Sequence, residues 1–156
     1  MPFSPENMLI LDSVDSTNNY AMALIQTGER SKIRPVFSME QTQGRGRRGK
    51  DWESNKGANI MLSIPIQMQW LPISQQFQLS AAVALSCHDL FSKYLFSKVF
   101  IKWPNDIFIN DSKAGGILIE NVIKGTLWQW SVIGIGLNIN QEKFEKFNLK
   151  ATSLKL

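Results

Sequence analysis

Residues 132–140 constrain the fold more than any other part of this chain. They read VIGIGLNIN. Ile133, Ile135, Leu137 and Ile139 alternate with Gly134, Gly136, Asn138 and Asn140. A two-residue period puts these two sets on opposite faces of a β-strand. One face is a stripe of branched apolar side chains. The other has almost no bulk, and interior strand glycine marks close approach by a ligand or by another stretch of backbone. Close packing of a helix on that face is the alternative reading.

The rest of the chain supplies partners for this strand. Residues 8–11 are a short apolar strand, and 36–40 read as a strand after Pro35. Ile60, Leu62, Ile64 and Ile66 alternate at strand period over 60–66. Residues 99–103 form a short strand. Residues 107–109 and 114–121, joined through Asn110, Asp111 and Ser112, read as a hairpin, and Gly125 marks a second tight turn before 127–140. A helix over 19–26 follows the polar turn DSVDSTN, with Ser16, Thr17 or Asn18 as its cap and Gly28 as its stop. A longer helix is predicted over 74–96. Its centre, 81–85, is apolar all round, which predicts a well-buried helix. A short third helix is predicted over 142–147. Tight turns between successive strands imply an α+β fold, with a mixed, mainly antiparallel sheet and helices on one side.

Composition narrows the function. A chain of 156 residues suits one domain. Its single cysteine, Cys87, excludes an intrachain disulfide, and with a single histidine, His88, no Cys- or His-rich metal site is expected. Both read as packing or surface residues of the long helix. No apolar run approaches the ~18–20 residues that cross a bilayer. The opening MPFSPENMLILD has no basic region or long apolar stretch of a signal peptide. A cytoplasmic protein without a membrane partner is expected. The net charge of +4 is mild and suits an anionic ligand.

Much of that charge falls in one loop. Residues 41–57 hold four glycines, five basic residues and one large apolar residue, Trp52. Within it, QTQGRGRRGK places Gly44, Gly46 and Gly49 among Arg45, Arg47, Arg48 and Lys50. Glycines let the backbone approach a ligand, consecutive N–H groups can cradle an anion, and the guanidinium fork matches phosphate or carboxylate. Lys50 is followed by Asp51 rather than Ser or Thr, so this is not the phosphate loop of nucleotide triphosphatases. A solvated basic loop and a non-specific nucleic-acid binder are the other readings. The second is weakened by having only Trp52 as a stacking aromatic.

Three polar clusters interrupt apolar strands. KWPND puts Lys102 at a strand end, where it either snorkels to solvent or presents an ammonium to developing negative charge. Asn105 and Asp106 suit an ordinary turn. KAGGILIE puts Lys113 at a hairpin and Gly115–Gly116 inside a strand, implying close approach or a bulge. The third cluster is Gly134, Gly136, Asn138 and Asn140.

Taken in order, STN at 16–18, EQTQGRGRRGKDW at 40–52, GANIMLSI at 57–64, KWPNDIFIN at 102–110, KAGGILIE and VIGIGLNIN strongly resemble the catalytic domain of biotin protein ligases over about residues 11–154. The resemblance implies the class II synthetase-like fold of biotin and lipoate ligases. It also implies two half-reactions: biotin and Mg-ATP give biotinyl-5′-adenylate, then a lysine of a biotin carboxyl carrier domain takes the biotinyl group. By the family pattern, Ser16, Thr17, Asn18, Gln41, Gly44, Arg45, Gly46, Arg47 and Lys102 belong to the biotin site, with Arg45 and Lys102 the catalytic pair. Arg47, Arg48, Lys50, Trp52, Lys113 and Asn138 match positions near the nucleotide. No protein-held metal is implied, and Mg²⁺ is expected to arrive on the ATP phosphates. A truncated module that binds biotin or its adenylate with little turnover is the second reading.

Two departures stand out. Family members usually carry KLAG where this chain has KAGG, and their chains usually continue past ATSL into further helices and a small barrel. With strand sequence already at Met8, no DNA-binding helix-turn-helix is expected. Family members often pair through sheet edges, so a homodimer stays open.

Overall fold

The computed structural model of the protein describes residues 5–144 and 150–156. Seven strands are described: β1 (Leu9–Leu11), β2 (Val36–Ser38), β3 (Ile60–Gln67), β4 (Val99–Lys102), β5 (Asp106–Ile109), β6 (Ser112–Lys124) and β7 (Leu127–Leu137). They form one sheet in the order β1-β2-β3-β7-β6-β5-β4. Only β1 with β2 is parallel; the other pairs are antiparallel. This is the mixed, mainly antiparallel α+β sheet that the turns predict.

The register fixes the two faces. Met61 and Ser63 of β3 stand opposite Gly136 and Gly134 of β7, which stand opposite Gly116 and Leu118 of β6. Leu62, Ile135 and Ile117 lie between them and point the other way.

Helices α1 (Thr17–Gln26) and α2 (Gln76–Tyr94) attach to different faces. On the glycine face, Ala21 of α1 packs with Val36 and Val132, supported by Leu9, Leu11, Met22, Leu24 and Ile25. On the opposite face, Ala84, Cys87 and Phe91 of α2 pack with Ile107, Ile109, Ile117 and Leu137. The expectation of helices on one side is therefore corrected. Its reason lies in β7, where Val132 gives the sparse face an apolar foothold of its own at the end away from the asparagines.

α2 is also less buried than its composition suggests. Only Ala84, Cys87 and Phe91 are buried, while Leu85 is 50% and Phe77 61% exposed. A helix lying on one sheet face covers a single stripe; apolar residues elsewhere on its circumference have no second layer to meet.

Element ends differ in instructive ways. α1 begins at Thr17 rather than Asn19. Ser16 takes the cap position in extended backbone but makes no side-chain cap bond, and Thr17 and Asn18 lie in the first turn. Gly28 does stop the helix, with φ +72 and its N–H on the Ile25 carbonyl. β2, β4 and β7 end at Ser38, Lys102 and Leu137, short of the predicted 40, 103 and 140. β4 runs into a cis Trp103–Pro104 peptide. Beyond β7, the N–H groups of Asn138, Ile139 and Asn140 turn to the Ala114 carbonyl, the Asn59 side chain and the Ala58 carbonyl. Of the helix predicted over 142–147, residues 142–144 are irregular and 145–147 lie outside the described residues.

Candidate active site

The sparse face of β7 lies in the wall of a cavity of about 640 Å³. Glycine is required there because the space above it is already taken. A Cβ on Gly134 would stand 2.3 Å from Asn18 Oδ1, and one on Gly136 would stand 2.6 Å from the Trp52 ring. The indole also lies 3.0 Å from where a Cβ on Gly116 would be. Two neighbouring strands thus present backbone to Trp52, whose Nε1 is buried without a hydrogen-bond partner. Gly115 faces the other way, toward Leu137 and Ile107. A bulge at Ile107/Phe108 leaves Ala114 between the registers of β5 and β6. Ala114 is fully buried in the α2-side core, so the KAGG departure is a packing feature of that core rather than of the cavity.

At one end the cavity is neutral and rich in hydrogen-bonding groups. Ser16, Thr17 and Asn18 are all buried there, and Gln41 beside them is half-buried. Gln41 Oε1 accepts from the Thr17 N–H at 2.7 Å and from Thr17 Oγ1 at 3.0 Å. Ser63 Oγ stands 2.8 Å from Thr17 Oγ1 and 2.6 Å from Asn18 Oδ1. Asn18 Nδ2 donates to Glu120 Oε2 at 2.8 Å and to the Leu118 carbonyl at 3.3 Å.

At the other end the glycine-rich loop supplies cations. Its backbone is a tight hairpin: Gly46 N–H donates to the Lys50 carbonyl, and Trp52 N–H donates to Gly44. Arg48 and Gly49 carry φ +56 and +72 at its tip. Gly44 is buried against the Trp52 carbonyl, only 2.2 Å from where a Cβ would sit. Arg45 pairs with Glu120 at 2.9 Å and donates to Asn19 Oδ1 at 2.7 Å. Arg47 donates to Asn105 Oδ1 at 3.0 Å. Lys113, half-buried rather than exposed at its turn, pairs with Asp106 at 2.8 Å and lies 5.8 Å from the Trp52 ring centroid. Asn19 also bonds Asp15, and this hydrogen bond holds the Asp15 carboxyl below its ordinary value.

The structure gathers most of the expected residues. Ser16, Thr17, Asn18, Gln41, Arg45, Gly46, Arg47, Arg48, Lys50, Trp52, Lys113 and Asn138 all line this cavity. Gly44 and Lys102 do not: Gly44 lies behind the loop, and Lys102 Nζ sits over the Phe108 ring, 5.3 Å from its centroid. Sequence reasoning did not single out Ser63, Glu120 or Asn19, and it read Asn105 and Asp106 as turn chemistry. The signals for two of them were present. Ser63 is a small polar residue among alternating isoleucines, and Glu120 is a carboxylate closing an apolar strand.

A family model described as the biotin/lipoate A/B protein ligase family matches residues 10–138. The chain belongs to that family. The matched segment holds every cavity-lining residue except Ala151. Among curated biotin/lipoate ligase relatives, the bifunctional ligase/repressor BirA of Escherichia coli is 34% identical over 140 residues, covering 90% of this chain and 43% of the relative. Among solved structures, biotin protein ligase from Leishmania major in complex with biotinyl-5-AMP superposes with a TM-score of 0.75 at 29% identity, over 97% of this chain and 64% of that one. Biotin protein ligase from Aquifex aeolicus in complex with biotin and ATP gives 0.75 at 27%, over 96% and 60%. The chain thus spans about half the length of the curated relatives it matches. Among the described residues, no helix is long and apolar enough to cross a membrane. No three His, Cys, Asp or Glu side chains among them gather as metal ligands.

Proposed function

We propose that this chain activates biotin with Mg-ATP to biotinyl-5′-AMP and pyrophosphate, then passes the biotinyl group to a lysine of a biotin carboxyl carrier domain. One observation carries the proposal: a single cavity joins a neutral, amide- and hydroxyl-lined end to a cationic loop. The neutral end suits a ureido ring, which offers two N–H donors and a carbonyl acceptor. The cationic end suits a carboxylate and a phosphate that must meet despite their like charge. Arg45, Arg47 and Lys113 now spend their charge on Glu120, Asn105 and Asp106. An incoming anion competes for these cations within reach of their present partners, so little chain movement is needed to hold the two reactants in line. The relatives solved with biotin, biotinyl-5-AMP and ATP support this reading.

In the first half-reaction, a biotin carboxylate oxygen bonds to the α-phosphorus of ATP and the bond to the pyrophosphate leaving group breaks. Mg²⁺ travels with ATP as part of that substrate. In the second, the acceptor amine attacks the acyl carbon, AMP leaves, and the amine loses its proton. Trp52 over Gly116 and Gly136 keeps water from one side of the site. A binding module with little turnover is the second reading, favoured by Lys102 lying over Phe108 rather than in the cavity wall. Mass spectrometry of a carrier domain after incubation with this chain, biotin and Mg-ATP tests the proposal. A gain of one biotinyl group is expected. Biotin binding without pyrophosphate release would instead leave the binding module.

A further inference from the structure

The head-group end of the cavity has fewer protons than its oxygens require. Gln41 Oε1, Thr17 Oγ1, Ser63 Oγ and Asn18 Oδ1 form a chain with three successive O···O contacts of 3.0, 2.8 and 2.6 Å. Only two hydroxyl protons, those of Thr17 and Ser63, are available to fill them. Neither amide can turn round to supply a third. Gln41 is fixed by the Thr17 N–H, which needs an acceptor at 2.7 Å. Asn18 is fixed because its other side meets the Glu120 carboxylate and the Leu118 carbonyl, both acceptors only. However the protons are arranged, one contact joins two lone pairs. Ser63 is fully buried, so bulk water does not relieve it.

We infer that Glu120 is a positioning residue for head-group selection: by locking the Asn18 amide it keeps this wall acceptor-rich, so the site takes a head group that donates an N–H and disfavours an isostere that offers only lone pairs. The inference rests on the biotin reading above and deepens it. Glu120 lines no part of the cavity itself and acts through Asn18. It shares its carboxylate with Arg45, which ties the head-group wall to the loop that holds the anion. A ligand N–H that donates to the oxygen chain offsets its excess of lone pairs, which gives a cyclic urea or lactam an advantage that a sulfur-only ring lacks.

The test compares calorimetric affinities, without ATP, for biotin and for cyclic-carbamate analogues in which a ring oxygen replaces one ureido N–H. All ligands share the carboxylate tail, so the ratio reports the head group and not Arg45. The wild-type chain is expected to prefer biotin to at least one carbamate by about 100-fold or more. Glu120→Gln lets Asn18 turn either way, and is expected to cut that ratio to below about tenfold. A wild-type ratio near unity overturns the inference whatever the variant does. So does an unchanged ratio in a folded Glu120→Gln. Absence of biotin binding by the wild-type chain overturns the functional reading and this inference with it; biotin binding with the wrong ratio overturns this inference alone.

Discussion

Single residues in this site are held by geometry that leaves little tolerance. Gly136 shows this most clearly, since its missing Cβ is replaced by the Trp52 ring. Gly136→Ala is expected to push the indole off the sheet, at a cost of about 1–3 kcal/mol in thermal or denaturant unfolding. Biotin affinity should fall in the same variant. Gly125→Ala is a control of another kind: nothing lies within 4 Å of its missing Cβ, but its φ of +60 strains any side chain. It should lose stability without losing biotin affinity, and the pair of measurements separates the two causes. Lys102 presents an opposite case. The resemblance implies a catalytic role for it, while its ammonium rests on Phe108. Lys102→Ala is expected to abolish pyrophosphate release and to leave the thermal transition close to wild type, because an exposed lysine on an aromatic face contributes only about 0.5–1 kcal/mol. Near-normal pyrophosphate release would return Lys102 to a surface role and leave Lys50 and Lys113 as the cavity's lysines.

Among the elements, strand alternation was readable from residue order and helix burial was not. The Ile/Gly alternation of β7 identifies both of its faces from residue order alone, because a period of two leaves no choice. The same logic found the loop, since four glycines and five basic residues leave no apolar periodicity to follow. α2 defeated it. Its apolar centre announces a buried helix, but burial depends on how many layers the fold stacks, and that information is spread over Ile107, Ile117 and Leu137 far along the chain. Ser63 and Glu120 were missed for a related reason: each looks ordinary in its own strand and gains meaning only from α1 and the loop across the sheet. What α2 does bury is tightly held. Phe91→Ala is expected to cost about 3–5 kcal/mol, read as a shift of the denaturant midpoint. Cys87, beside it, has its thiol pushed up to about 11 by burial. A raised folded value means its contribution to stability is complete below the ordinary value of 9.0 and is lost as pH rises through about 11. At neutral pH, labelling of Cys87 by a thiol reagent should therefore require opening of α2, and should slow when the fold is stabilised.

On the scale of the whole molecule, the two helices grip opposite faces of one sheet at different ends, and the cavity opens on the face that α1 covers only in part. The glycine-rich loop closes that opening through Arg45 and Arg47, both on the surface. Contacts of this kind contribute little each and are screened by salt. The loop is expected to be cut by trypsin in the ligand-free protein and to resist in the presence of biotin and ATP. Equal cleavage rates in the two states would sink the idea that it folds over the adenylate. The sheet itself tapers: β6 and β7 at its middle run 13 and 11 residues, while the outermost strands β1 and β4 run three and four. An open sheet is a template for fibril growth, and the length of the template limits what each added chain can gain. Here a newcomer finds only three or four residues of ladder on either side. Short rims, with Pro104 closing off the β4 side, thus limit amyloid-like stacking of this sheet.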